Sequence, residues 1–119
     1  MMLDLSIVIP TVNRASLLER GLNAIRDTVK CSHEVIVVDG ASTDHTPQVL
    51  EQARWSFGDR LKVIREDQRE GFVRAANKGF RVASGRNLTW LNDDARPLPG
   101  AYDTAVSQMD AASDDVAFL

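Results

Sequence analysis

Short runs of apolar, β-branched residues alternate along this chain with longer stretches whose apolar positions recur every three or four residues. Leu5-Ser6-Ile7-Val8-Ile9 reads as a strand stopped by Pro10, which has no N–H to give to a ladder. A helix is expected over roughly Ala15 to Thr28, where Leu18, Leu22, Ile25 and Val29 share one face. Val35-Ile36-Val37-Val38 is apolar on both faces, as a central parallel strand should be. Asp44 or Thr46 can cap the next helix, with Pro47 in its first turn and Val49, Leu50 and Ala53 facing inward.

Gly58-Asp59 then turns the chain into a third strand, Leu61 to Ile64. A third helix is predicted from Gly71 to Ser84, with Phe72, Ala76, Gly79, Phe80 and Ala83 on its inner side and Gly85 as its C-terminal glycine. A fourth strand, Asn87 to Leu91, a polar turn, a helix from about Pro99 to Ala112 and a fifth strand near Val116 complete the order βαβαβαβαβ. That order predicts an α/β fold: an open, mostly parallel sheet with right-handed crossovers and helices on both faces.

Composition narrows the function. The 119 residues are 44% hydrophobic and 26% charged with a net charge of −3, which describes a globular domain. That charge leaves no electrostatic footprint for nucleic acid and no basic face for an anionic membrane. The single cysteine, Cys31, allows no internal disulfide, and the opening residues lack the basic and long apolar segments of a signal peptide. A cytoplasmic location is expected; any membrane association would be carried by regions beyond this chain.

Ligands of open parallel sheets bind beyond the carboxyl ends of the strands. The residues there are polar: Thr11-Val12-Asn13-Arg14 after the first strand, Asp39-Gly40-Ala41-Ser42-Thr43-Asp44 after the second, Asn92-Asp93-Asp94 after the fourth. The sequence holds neither G-x-G-x-x-G nor G-x-x-x-x-G-K-[ST], so a bound diphosphate needs a cation in place of a glycine-rich nest. Mg²⁺ or Mn²⁺ suits the oxygen donors of Asp94 and Asn92, which point the same way on an extended segment. Asp39 can accept hydrogen bonds from a base N–H or a ribose hydroxyl. Taken singly, each cluster is also ordinary turn and cap chemistry, and Arg69, Arg74 and Arg81 an ordinary solvated face. His33 and His45 share no metal-ligand spacing.

Together, LSIVIPTVNR, EVIVVDGASTDHT and EGFVRAANKGFRVASGRNLTWLNDDARPLP resemble the opening of family-2 inverting glycosyltransferases of the GT-A fold, from Leu5 to about Pro99. The resemblance implies a donor domain for a nucleoside-diphosphate sugar, with Thr11 and its neighbours at the base pocket and Asp39 at the base or ribose. Asp93 would lie near the ribose, and Asp94 would be the final, metal-binding carboxylate of a D-x-D motif. The acceptor would be a glycan, a lipid or another hydroxyl compound. Departures from the family pattern are Asn92 at the first D-x-D position, Val12 in place of a stacking aromatic, Gly40 in place of an acidic or amide residue, and Ala76 in place of an arginine, for which Arg74 is a candidate substitute.

Inverting relatives take their base from a carboxylate well after the D-x-D region. Asp114 and Asp115 precede the fifth strand, so neither is assigned that role, and the chain is expected to be the donor half with the acceptor part absent. An exposed sheet edge or helix face is a candidate surface for a homo-oligomer. The competing readings are a non-catalytic nucleotide-sugar-binding module and a phosphoacceptor receiver-like domain. The latter wants an acidic pair where Pro10 and Thr11 stand.

Overall fold

The computed structural model describes residues 2–111. Its elements are β1 (Leu3–Thr11), α1 (Ala15–Thr28), β2 (His33–Asp39), α2 (Thr46–Phe57), a 3₁₀ turn (Gly58–Arg60), β3 (Leu61–Arg65), α3 (Phe72–Val82), β4 (Gly85–Trp90) and α4 (Ala101–Asp110). The four strands form one sheet in the order β3-β2-β1-β4, and each pairing is parallel. The fifth strand expected near Val116, and Asp114 and Asp115 before it, lie outside the described residues.

Alternation along the central strands divides the core in two. Leu5, Ile7 and Ile9 of β1 and Val35 and Val37 of β2 face a cluster completed by Leu18, Leu22 and Ile25 of α1, Val49 and Leu50 of α2 and Val106 of α4. Val8, Ile36 and Val38 face the other way, onto Ala75 of α3. Three helices thus cover one face and α3 the other. β2 is buried along its whole length, which is why its sequence carries no polar alternation.

The structure corrects three local expectations. β1 does not stop at Pro10 but continues to Thr11, with Pro10 in register with Val38. Val8 O accepts from Leu91 N and Thr11 O from Gly40 N, so consecutive residues of β1 turn to opposite neighbours. The nitrogen of Pro10 therefore faces the β4 side, where pairing has already ended at Val8 and Trp90, and no ladder bond is lost. Gly85 is the first residue of β4 rather than the cap of α3. It is needed for close approach: a Cβ there would lie 2.7 Å from the carbonyl carbon of Leu5 and from Ser6 N. Phe72 is not on the buried side of α3; 47% exposed, it meets the edge of the Trp90 ring at 6.0 Å between centroids.

The sheet order reverses between β1 and β4, since β2 and β3 lie on one side of β1 and β4 on the other. The carboxyl ends of β1 and β4 flank this switch point, where an open parallel sheet leaves a crevice.

Candidate donor site at the switch point

An open cavity of about 380 Å³ occupies that crevice, within the size range of small-molecule sites. Thr11, Val12 and Arg14 line it from the end of β1, Gly40 from the end of β2, Glu66 and Arg69 from the end of β3, Gly71, Phe72 and Ala75 from the start of α3, and Asn92, Asp93 and Asp94 from the end of β4.

The turn after β4 is joined to β1 by side chains. Thr11, itself buried, donates from Oγ1 to Asp93 Oδ2 at 2.9 Å. Arg14 Nη1 stands 3.4 Å from Asp93 Oδ1 and 3.3 Å from Asp94 Oδ2. Ala95 N donates to Asn92 O at 3.0 Å, so residues 92 to 95 form a turn rather than an extended segment. Asn92 and Asp94 still reach the same cavity, though by the turn and not by strand alternation.

Asn13 and Asp39 hold the loops instead of lining the cavity. Asn13 adopts φ +52°, a left-handed conformation that Asn tolerates, and its Oδ1 accepts from Thr43 N at 2.7 Å and Asp44 N at 3.3 Å. Its own N–H donates to Ser42 Oγ at 2.9 Å. Asp44 answers by accepting from Ala15 N and Thr46 N, each at 3.0 Å, so one carboxylate serves the first turns of both α1 and α2. Its bonds to Thr46 hold that carboxyl below the usual range. Asp39 is buried, accepts from Ser42 N at 3.0 Å and forms a 2.6 Å ion pair with Arg65 Nη1. Both of its oxygens are thus engaged in holding the loop and Arg65. Arg74 is exposed on α3 and lies off the cavity wall, while Ala76, for which it was the candidate substitute, is buried.

Sequence reasoning gives the end of β3 no role, although the strand-end rule applies there too. Glu66 is buried at the cavity floor, its N–H donating to Asp39 O at 2.8 Å and its Oε2 accepting from Lys78 Nζ at 2.7 Å. Lys78 also bonds Glu70, and these two carboxylates, Glu66 foremost, raise the pKa of its ammonium. Arg69 lines the cavity with no ion-pair partner among the described residues. At the opposite end of the sheet, His33 starts β2 with Nδ1 2.8 Å from Cys31 O, and burial keeps its pKa low. The Cys31 thiol, pushed up to about 12 by burial and by Asp103, is no nucleophile at neutral pH.

The donor set suits a hard divalent cation. Asp93, Asp94 and the amide of Asn92 offer oxygen donors, and the Arg14 guanidinium near both carboxylates reflects their negative potential. Among the described residues no three His, Cys, Asp or Glu side chains converge on one point, so phosphate oxygens and water would complete the shell.

Residues 6–119 match the family described as Glycosyl transferase family 2. The chain belongs to this family. It is 31% identical over 113 residues to glycosyltransferase AglE of Haloferax volcanii, covering 93% of this chain and 37% of that protein. It is 33% identical over 105 residues to the GalNAc(5)-diNAcBac-PP-undecaprenol β-1,3-glucosyltransferase of Campylobacter jejuni, covering 87% of this chain and 34% of that protein.

The fold is that of GT-A transferases. The mannosyltransferase PcManGT from Pyrobaculum calidifontis, solved in complex with GDP-Man and Mn²⁺, superposes with a TM-score of 0.85 at 30% identity, over 98% of this chain and 34% of that one. TarS 1-349 of S. aureus, in complex with UDP-GlcNAc, superposes with a TM-score of 0.80 at 25% identity, over 90% of this chain and 31% of that one. This family-2 chain thus spans about a third of the length of these two curated relatives.

Proposed function

We propose that this chain binds the nucleoside-diphosphate sugar of a glycosyl transfer and that a divalent cation, Mg²⁺ or Mn²⁺, is held there by Asp94, Asp93 and the amide oxygen of Asn92. The observation that carries the reading is the convergence of Thr11, Arg14, Asp93 and Asp94 at the switch point of the sheet, on one wall of the cavity. PcManGT, with GDP-Man and Mn²⁺ bound, supports it. When bound, the cation supplies Lewis-acid stabilisation of the charge that builds on a departing diphosphate.

The chain's own residues do the positioning. Thr11 fixes the orientation of Asp93. Arg14 and Arg69 bring positive charge to the cavity wall, where phosphate oxygens accept charge-assisted hydrogen bonds. Val12 and Gly40 form a small-residue wall against which a base can lie, and Asn13, Asp39 and Asp44 hold the loops that carry it. The acceptor, a glycan, lipid or other hydroxyl compound, is assigned to the portion of the relatives that this chain does not span.

Calorimetry with UDP, dTDP and GDP, with and without Mn²⁺, tests the proposal on the chain and on Asp94→Ala. The expected result is Mn²⁺-dependent binding of one nucleotide, weakened tenfold or more in Asp94→Ala. Absence of nucleotide binding by the folded chain, or equal binding by the variant, overturns it.

A further inference from the structure

Arg14 is an odd residue to find where it stands. It is the N-cap of α1, whose first turn contains no acidic residue, so its charge lies at the positive end of a helix dipole. What offsets that placement is the pair of carboxylates on the turn after β4. A single guanidinium nitrogen, Nη1, faces both: 3.4 Å to Asp93 Oδ1 and 3.3 Å to Asp94 Oδ2. The two carboxylates that would help to hold a divalent cation are thus the ones that Arg14 faces.

The two sides of this bridge are held very differently. Asp93 is 11% exposed and fastened by the Thr11 hydroxyl at 2.9 Å, so its carboxylate is set in place by β1. Arg14 and Asp94 are 50% and 52% exposed, and both distances lie beyond the range of a good N–H···O bond. Every other ion pair among the described residues closes to 3.0 Å or less. The pairs that brace the cavity, Asp39 with Arg65 and Glu66 with Lys78, have carboxylates that are 2% and 1% exposed. Of the paired cations at the site Arg14 is thus the loosely held one, with Asp93 alone fixed by the fold, and exposed pairs of this kind are weak.

We propose that Arg14 and a divalent cation compete for the carboxylates of Asp93 and Asp94, and that the displaced guanidinium then binds the diphosphate. This rests on the donor-site reading above and gives Arg14 a positioning role within it. Once the carboxylates are taken by a doubly charged ion, the guanidinium loses its partners and stands beside a helix N-terminus that itself favours anions. A diphosphate in the cavity then offers it charge-assisted bonds. Cation and nucleotide are therefore positively coupled through Arg14, and by linkage each raises the affinity for the other by the same factor.

The test is a Mn²⁺ titration, by electron paramagnetic resonance of free Mn²⁺, of the 119-residue chain and of Arg14→Gln and Arg69→Gln, each alone and with UDP or GDP. Arg69 lines the same cavity and pairs with neither carboxylate, so it reports the effect of removing one positive charge from the neighbourhood. Arg14→Gln is expected to bind Mn²⁺ alone threefold to tenfold more tightly than the unaltered chain. Its gain in Mn²⁺ affinity on adding nucleotide is expected to shrink by a similar factor. Arg69→Gln is expected to change the affinity for Mn²⁺ alone by less than twofold.

Equal tightening in both variants, or none in Arg14→Gln, overturns the exchange while Mn²⁺-dependent nucleotide binding by the unaltered chain leaves the donor-site reading standing. Failure of all three proteins to bind Mn²⁺, with nucleotide present, overturns both. Far-ultraviolet circular dichroism of the exposed Arg14→Gln variant checks that it remains folded.

Discussion

Ala41 carries the backbone through φ +61°, a conformation that L-residues with a Cβ adopt at a cost of about 1–2 kcal/mol. It follows Gly40 at the turn that leaves β2 for the cavity, so the strain is stored at the site's edge. Ala41→Gly is expected to raise stability by about 0.5–1 kcal/mol, the relief of strain being partly offset by the greater freedom of an unfolded glycine. The shift in urea midpoint at unchanged slope measures it. Gly40 behaves in the opposite sense: a Cβ there would lie 2.6 Å from Val12 Cγ2 and 3.4 Å from Glu66 Oε1. Gly40→Ala is expected to cost about 1–3 kcal/mol by overpacking, and Val12→Ala to restore part of it in the double variant. Additive losses would show that the two positions do not pack as a pair. The absence of an aromatic at 12 and of a larger side chain at 40, two separate departures in the sequence, is then one steric arrangement.

At the scale of elements, the loops after β1 and β2 are a single braced unit. Asn13 reaches across to three backbone or hydroxyl groups of residues 43 and 44, and Asp44 reaches back to Ala15. Replacing Asn13 by Ala removes those bonds and puts a Cβ-bearing residue of lower tolerance at positive φ; a loss of about 2 kcal/mol is expected. Asn13→Gly keeps the backbone but not the bonds and is expected to lose about 1 kcal/mol. Thermal unfolding of the pair separates the two contributions, and equal losses would mean that the side-chain bonds account for the whole effect. Both variants are expected to weaken nucleotide binding without abolishing it, since Asn13 acts through the loop. β2 was legible because burial on both faces leaves an unbroken apolar run, and α1 because its buried positions recur at helical spacing. The end of β1 was not, because whether Pro10 stops a strand depends on which neighbour its nitrogen faces.

On the scale of the whole molecule, a buried titratable cluster lies at the amino end of the sheet, away from the proposed donor site. At the amino end of β2, Glu34 is buried among Ser6 Oγ at 2.6 Å, Ser84 N at 2.6 Å and Lys62 Nζ at 2.8 Å. Burial raises its pKa, but the bonds from Lys62, Ser6 and Ser84 together outweigh this and bring it down to about 2. The folded carboxyl is thus the stronger acid, so its contribution is full above the ordinary value of 4.5 and is lost as pH falls toward about 2. His33, whose pKa is lowered chiefly by burial, adds an earlier loss. Below its ordinary value of 6.5 the unfolded chain takes up a proton that the folded ring resists. Stability is therefore expected to fall in two stages on acidification. Glu34→Gln is expected to lower it by about 2–3 kcal/mol at neutral pH and to flatten the lower stage, as urea unfolding from pH 7 to 2.5 would record. An unchanged acid limb in that variant would place the dependence elsewhere. Among the described residues no helix is long and apolar enough to cross a membrane.

The amino-acid sequence alone determined the alternation of strand and helix, the parallel sheet, the family, and the rule that chemistry gathers at the carboxyl ends of strands. Those properties follow from local periodicity and short motifs, which need only the neighbouring residues of the chain to be read. Only the tertiary structure decided which polar residues serve the cavity. The β3-β2-β1-β4 order sets Thr11 against Asp93, 82 positions away, and brings Arg14 between Asp93 and Asp94. It also commits Asp39 to Arg65 and Asn13 to the neighbouring loop, uses that no run of sequence encodes. A carboxylate's availability depends on the donors that the fold places within about 3 Å of it, and those donors come from other strands.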